Sequence, residues 1–195
     1  MGDRVEAILR VWFGDPTDPG SDYGQQRSIW FKKNPEFDQT VRERFWDDYQ
    51  QAAAGQLQPW RQQPRSCLAL ILLLDQLPRN MFRGHPQSFA TDDQAREAAE
   101  YALDQGFDQQ LLPVERLFVY VPFEHSENLA HQQRAVALFA ALSEAEPELS
   151  STLDYAIRHR DIIQRFGRFP HRNGILNRAT TTEEAAFLQQ PGSGF

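Results

Sequence analysis

Two histidines have carboxylates close by in the sequence and lie among apolar residues. His125 follows Glu124 in the segment PFEHSE, and His159 lies two residues before Asp161 in RHRDIIQRF. Apolar surroundings favour the neutral imidazole, because burial disfavours charge. A neutral imidazole beside a carboxylate is a usable general base. The candidate catalytic groups are therefore these two histidines, oriented by Glu124, Asp161 or Asp75.

The basic side chains are suited to binding an anion. Only two of the 20 basic residues are lysines, and the rest are arginines, whose planar guanidinium groups bind carboxylates and phosphates in a bidentate manner. The candidate ligand-binding residues are Arg79, Asn80, Arg83, Arg165, Arg168, His171, Arg172 and Asn173. We expect the partner to be an anionic small molecule or a peptide.

These residues concentrate in three polar segments at predicted helix ends, over 75–83, 122–127 and 158–173. The first contains LPRN and the third contains FPHRN, so each places a proline, a basic residue and an asparagine just beyond an apolar helix. We expect the three segments to meet in a cleft, where they would form a site that is enzymatic or binds a ligand.

Two other interpretations fit the same residues. Asp75 and Arg79 are four residues apart, which suits an ion pair on one helix face, so the polar segments also fit a structural ion-pair network. A helical scaffold that binds proteins or peptides is the second interpretation, and fold analogy suggests it.

No cofactor or metal is predicted. The chain lacks the His-Glu-x-x-His pattern and the glycine patterns of phosphate and dinucleotide loops. It also lacks Gly-x-Ser-x-Gly, which leaves Ser126 a weak candidate for a nucleophile. Cys67 lies in a leucine-rich run, which predicts a buried and unreactive thiol.

The longest apolar run, residues 67–74, predicts the central helix of the core, because a helix that is apolar on every side must be covered on every side. We predict that this helix covers about residues 65–77 and bends or stops at Pro78. Asn34 and Pro35 predict the start of another helix, with asparagine as the N-cap.

The remaining pattern predicts about eight helices and no strand. Thr91 is a predicted N-cap, Pro122 a predicted interruption, Ser150 or Ser151 a predicted cap and Gly167 a predicted helix end. Other helices are predicted over about 3–13, 127–145 and 153–166, with a short one from about 182. We predict an all-α chain with one domain over residues 1–195.

Composition indicates a soluble cytoplasmic protein. Hydrophobic residues are 41% and charged residues 24% of 195 residues, which is ordinary for a globular domain. No apolar run approaches the ~20 residues of a membrane helix, so no membrane association is expected. The net charge of -7 makes nucleic acid an unlikely partner. No pattern in the chain specifies an oligomeric state.

The sequence resembles the bacterial family called domain of unknown function 924. The matching motifs are VWFG, LALILLLDQLPRNMFRG, FATD, VPFEHSE, RHRDIIQRFGRFPHRN and PGSGF, which together span nearly the whole chain. Leu77 and Met81 stand where the family pattern has Phe and Ile. The resemblance implies an all-helical fold of the tetratricopeptide-like superhelical class, and it implies no activity.

Overall fold

A computed structural model describes residues 2–30 and 32–194 of the chain. This described part contains nine α-helices, short 3-10 turns and no strand, which confirms the all-α prediction. The helices are α1 (Gly2–Phe13), α2 (Pro35–Ala53), α3 (Pro64–Leu74), α4 (Gln76–Met81), α5 (Asp92–Asp104), α6 (Pro113–Glu124), α7 (Leu129–Ala145), α8 (Ser150–Phe166) and α9 (Thr182–Leu188).

The chain forms two compact units. The first unit comprises Met1–Arg83 and Gln87–Pro122, and the second comprises Gly84–Pro86 and Phe123–Phe195. Helices α1 to α5 and most of α6 belong to the first unit, while the last two residues of α6 and helices α7 to α9 belong to the second. The single domain and the superhelical arrangement stay predictions.

Helix α3 is the centre of the first unit. Every residue from Cys67 to Leu74 is buried, as the apolar run predicts. Helices α1, α2 and α5 pack against it and supply the cover that an apolar surface requires. Trp12 and Phe13, at the end of α1, add an aromatic cluster in which both rings pack edge-on against Phe118. The motif VWFG is therefore part of the core.

Gly14 ends α1 in a conformation that only glycine adopts readily. Its φ is 94°, and a Cβ atom at this position would lie 2.3 Å from Ser21 Oγ and 3.1 Å from the backbone nitrogen of Tyr23. The close approach of the 21–23 loop explains why a glycine follows the aromatic pair.

The central helix ends at Leu74, four residues before the predicted break at Pro78. Pro78 lies in the first turn of α4, where a helix needs no donor from its backbone nitrogen, so that prediction is wrong. The carbonyl of Leu74 would have accepted a bond from residue 78, and it accepts one from Thr91 Oγ1 at 2.5 Å instead. Thr91 therefore does not cap α5 through its side chain, contrary to the prediction.

Pro122 does not interrupt α6, which continues to Glu124. A proline in the last turn removes only one donor, and Phe123 and Glu124, both of them buried, remain in helical conformation. The prediction of a break here is wrong for this reason.

Helices α7 and α8 pack together as a helical hairpin in the second unit. The Asn128 side chain caps α7 by accepting a bond from the Ala130 N–H at 2.8 Å. Helix α8 starts directly at Ser150 after a 3-10 turn, without the predicted serine cap. Gly167 ends α8 as predicted, with φ of 68° and its N–H bonded to the carbonyl of Ile163.

Within the described residues, no helix has both the length and the apolar character to span a membrane.

The hydrogen bond from Thr91 to Leu74 gives a test of the helix break. Thr91→Val keeps the shape of the side chain but leaves the buried Leu74 carbonyl without this donor and removes the contact with the Tyr49 hydroxyl. We expect the free energy of unfolding to fall by about 1–3 kcal/mol in urea titrations. Thr40→Val removes only a bond within α2 and should cost less than about 0.5 kcal/mol. Equal effects of the two substitutions would contradict the account of the break.

Candidate functional site

Arg79 pairs with two carboxylates in the first unit. Its Nη1 lies 3.3 Å from Asp75 Oδ1, which confirms the ion pair predicted from their spacing. The same guanidinium binds Asp92 through both terminal nitrogens, at 2.9 and 3.0 Å. Asp75 is 1% exposed, so its charge depends on this pairing.

Asn80 and Arg83 bind a single carboxylate on α2. Asn80 Nδ2 donates to Asp38 Oδ1 at 2.7 Å, and Arg83 donates to both carboxylate oxygens at 2.8 and 2.9 Å. Partial burial of Asp38 opposes ionisation, but these hydrogen bonds prevail and lower its pKa below the usual value. The predicted ligand-binding residues of the first unit therefore all contact carboxylates of the protein itself.

A carboxylate and an imidazole meet in the second unit. His159 Nδ1 lies 2.9 Å from Glu124 Oε1 and 2.8 Å from the carbonyl oxygen of Tyr155. Both residues are buried, at 5% and 7% exposure. Because both neighbours of Nδ1 are acceptors, the ring carries a proton on Nδ1. Glu124 is one of the three carboxylates predicted to orient a histidine, and it contacts His159.

Asp161, another of the predicted orienting carboxylates, does not take this place. Asp161 is exposed and bonds to Arg160, at 2.6 Å from Nη2, and not to a histidine of its own helix. Asp75 lies in the first unit and pairs with Arg79, and its role as an orienting carboxylate stays a prediction.

Further rings pack around His159 and form what we call the histidine cluster, namely His125, His159, His171, Phe169 and Arg172. The ring centroid of His159 lies 6.4 Å from that of His125 and 5.5 Å from that of Phe169. Phe169 is fully buried, and its centroid lies 5.6 Å from that of His171 and 4.4 Å from the guanidinium carbon of Arg172. Segments 122–127 and 158–173 therefore come together, as predicted.

Glu127 fixes the backbone on which the histidine cluster depends. Its carboxylate accepts two bonds from Arg178, at 2.7 and 3.0 Å, and one from the Phe169 N–H at 2.8 Å. Burial works against ionisation of Glu127, but these hydrogen bonds lower its pKa. Arg178 also donates to the carbonyl of Phe169 at 3.0 Å. Phe169 is therefore held at both backbone groups.

Glu184 fixes the same loop from α9. Its carboxylate accepts bonds from Arg168 at 2.7 and 2.9 Å, from the Thr181 N–H at 2.7 Å and from Asn173 Nδ2 at 3.3 Å. The bonds from Arg168 and Thr181 lower the pKa of Glu184 to about 2. Thr181 accepts in return from the Glu184 N–H, which completes a capping box.

Two of the predicted arginines of this unit also contact glutamates. Arg165 lies 2.9 Å from Glu183, and Arg168 binds Glu184. Sequence reasoning missed Glu127, Arg178 and Glu184 as the residues that organise the loop. The pattern TTEE at 181–184 was the available signal, since Ser/Thr-x-x-Glu before a helix indicates a capping box.

Metal ligation and thiol reactivity depend on other side chains of the described residues. None of their histidine, cysteine and acidic side chains form a group of three that could hold a metal ion. Burial raises the pKa of Cys67 to about 12, which confirms the predicted unreactive thiol. Ser126 Oγ does contact a histidine, 2.8 Å from His131 Nδ1, and it also accepts a bond from the Asn128 N–H, as expected of a turn at a helix start.

His171 makes the stability of the protein depend on pH. Burial, followed by the charge of Arg172, lowers the pKa of His171 to about 4, so the unfolded chain binds a proton more readily than the native one. This contribution is complete above about pH 6.5 and is lost as the pH falls towards about 4. His171→Gln should flatten the pH dependence by about 1–3 kcal/mol in urea unfolding at about pH 7 and pH 4.5. Parallel curves for the two proteins would contradict the burial of His171.

Comparison with known proteins agrees with the fold. A family described as bacterial protein of unknown function (DUF924) matches residues 8–192. A solved structure of a protein of unknown function from Agrobacterium tumefaciens is 41% identical, with a TM-score of 0.84 over 96% of this chain and 98% of that one. No curated protein matches. The chain therefore belongs to the bacterial family called domain of unknown function 924.

Proposed function

We propose that the second unit carries an acid–base site that acts on an anionic small molecule, with His159 as the general base and Glu124 as the carboxylate that orients it. The observation that carries this proposal is the contact of 2.9 Å between His159 Nδ1 and Glu124 Oε1, both of them buried.

Glu124 contacts a histidine, whereas most of the other buried carboxylates among the described residues contact an arginine. Asp48, Asp75, Glu115 and Glu184 each pair with an arginine, and Asp108 accepts a bond from the Tyr120 hydroxyl. Glu124, in contrast to those arginine-bound carboxylates, has an imidazole within ion-pair distance. An arginine stays protonated and can only hold a carboxylate in place, whereas a histidine can exchange its proton near neutral pH.

The chemistry of the pair follows from the proton on Nδ1. In the neutral ring, with Nδ1–H directed at Glu124 Oε1 and the carbonyl of Tyr155, Nε2 carries the lone pair. When Nε2 accepts a proton from a substrate, the carboxylate stabilises the imidazolium that forms, as in carboxylate–histidine pairs of hydrolases. This role requires the geometry that Glu124 and Tyr155 impose.

His125 would supply the complementary acid. Its ring centroid lies 6.4 Å from that of His159, and the side chain is half-buried on the turn that follows Glu124. Two imidazoles at this separation can serve one substrate, with one ring accepting a proton while the other donates. The reaction class is therefore a proton transfer, or a hydrolysis assisted by it.

The anionic character of the substrate is proposed from the charge around the rings. Arg172 lies over the ring of Phe169, against which His159 and His171 also pack, and a guanidinium in such a cluster suits a carboxylate or phosphate group. The structural interpretation has its own support, because Arg79, Arg83, Arg165 and Arg168 are already paired with carboxylates. The test must therefore separate the pair of Glu124 and His159, which we call the dyad, from ion pairs that only stabilise the fold.

A panel of phosphate monoesters and small carboxylates, screened by ligand-observed NMR and for turnover, tests the proposal. We expect the wild-type protein to bind and convert at least one compound. His159→Gln should leave binding within a few fold but reduce turnover by about 10²–10⁴. Glu124→Gln, which keeps the size of the side chain but not its charge, should reduce turnover to a similar degree.

Asp161→Asn is the matched control, because Asp161 is an exposed carboxylate on the same helix as His159. This variant should behave as the wild type. Unfolding of both dyad variants, with no compound bound by the wild type, would favour the structural interpretation and overturn the proposed site.

A further inference from the structure

The turn between α6 and α7 determines where Glu124 and His125 lie. Its backbone is held from α7 by Gln132, a residue that is 0% exposed. Gln132 Nε2 lies 2.6 Å from the carbonyl oxygen of Glu124 and 2.6 Å from that of Ser126. These two carbonyls flank His125 in the chain, so one side-chain amide bonds to the backbone on both sides of this histidine.

The planar amide restricts the turn more than a single bond would. Its two N–H groups point in fixed directions, so the two carbonyls that accept them are fixed relative to each other as well as to α7. Local bonds add to this restraint, since the Ser126 N–H donates to the carbonyl of Phe123 at 3.2 Å. The Ser126 hydroxyl, in turn, contacts His131 on α7.

The carbonyl oxygen of the Gln132 side chain has no hydrogen-bond partner within the described part of the chain. A buried acceptor without a donor is unfavourable. A glutamine at this position therefore contributes less to the stability of the fold than an apolar residue of equal size would. The useful part of the side chain is its NH₂ group, which binds the two carbonyls beside His125.

We infer that Gln132 is a positioning residue for the pair of Glu124 and His159, an inference that rests on the proposed function. By fixing the carbonyl of Glu124, it holds the carboxylate of that residue within reach of His159 Nδ1. A residue that only closed the end of α6 would stabilise the fold without affecting the bond between Glu124 and His159.

The test reads this bond directly, as the low-field proton signal of His159 Nδ1–H, which is assigned by its loss in His159→Gln. In the wild-type protein the signal should exchange slowly with water, because the bond is buried. Gln132→Met keeps the volume of the side chain but removes both donors. We expect this signal to disappear or its exchange to accelerate by at least about tenfold.

Leu142→Ala is the matched control, since it removes a buried side chain from the same helix at a position ten residues further on. This variant should lose stability and keep the His159 signal. If Gln132→Met does not fold, Gln132→Asn serves the same measurement, because its shorter side chain withdraws the amide from both carbonyls and should weaken the signal.

Three outcomes decide the matter. Loss of the signal in the Gln132 variant, with retention in Leu142→Ala, supports the inference. A signal that persists unchanged in the Gln132 variant overturns the inference and leaves the dyad intact. Absence of a slowly exchanging His159 signal in the wild-type protein overturns the dyad itself, and with it the proposed function.

Discussion

Burying a carboxylate requires a partner, and this requirement organises both units of the protein. In the first unit Asp75 is bound by Arg79, a residue that also binds Asp92 at the start of α5. In the second unit Arg168 binds Glu184, and Arg178 binds the less buried Glu127. Both glutamates also accept hydrogen bonds from the loop that contains Phe169 and so hold it in place. Glu124 is also buried, but it pairs with a histidine and not with an arginine. This difference in partner is the basis of the proposed chemistry.

Much of the helical architecture follows from local sequence. The apolar run at 67–74 is buried throughout, and Asn34 and Gly167 begin and end helices where their types predict. These features depend on residues within one or two turns of each other, so a single sequence contains them. The two proline predictions failed because tertiary contacts decide there: the carbonyl that Pro78 releases is bonded by Thr91, which is distant in the chain.

The sequence predicts which residues belong to the candidate site better than it predicts which of them pair with each other. The sequence identified His125, His159 and Glu124, and the structure brings them together in one unit. It offered three carboxylates as orienting groups, because spacing along a helix does not show which carboxylate another helix will present. The arginines at 165 and 168 find their partners on α9, a helix with no distinctive polar pattern apart from its capping box.

The central claim is that Glu124 fixes the proton of His159 on Nδ1 and so makes Nε2 the basic nitrogen. The tautomer of His159, measured from its ¹⁵N chemical shifts near neutral pH, tests this claim most directly. The account predicts the Nδ1–H tautomer in the wild-type protein, because Nδ1 faces the Glu124 carboxylate and the Tyr155 carbonyl. A wild-type ring that carries its proton on Nε2 would contradict it.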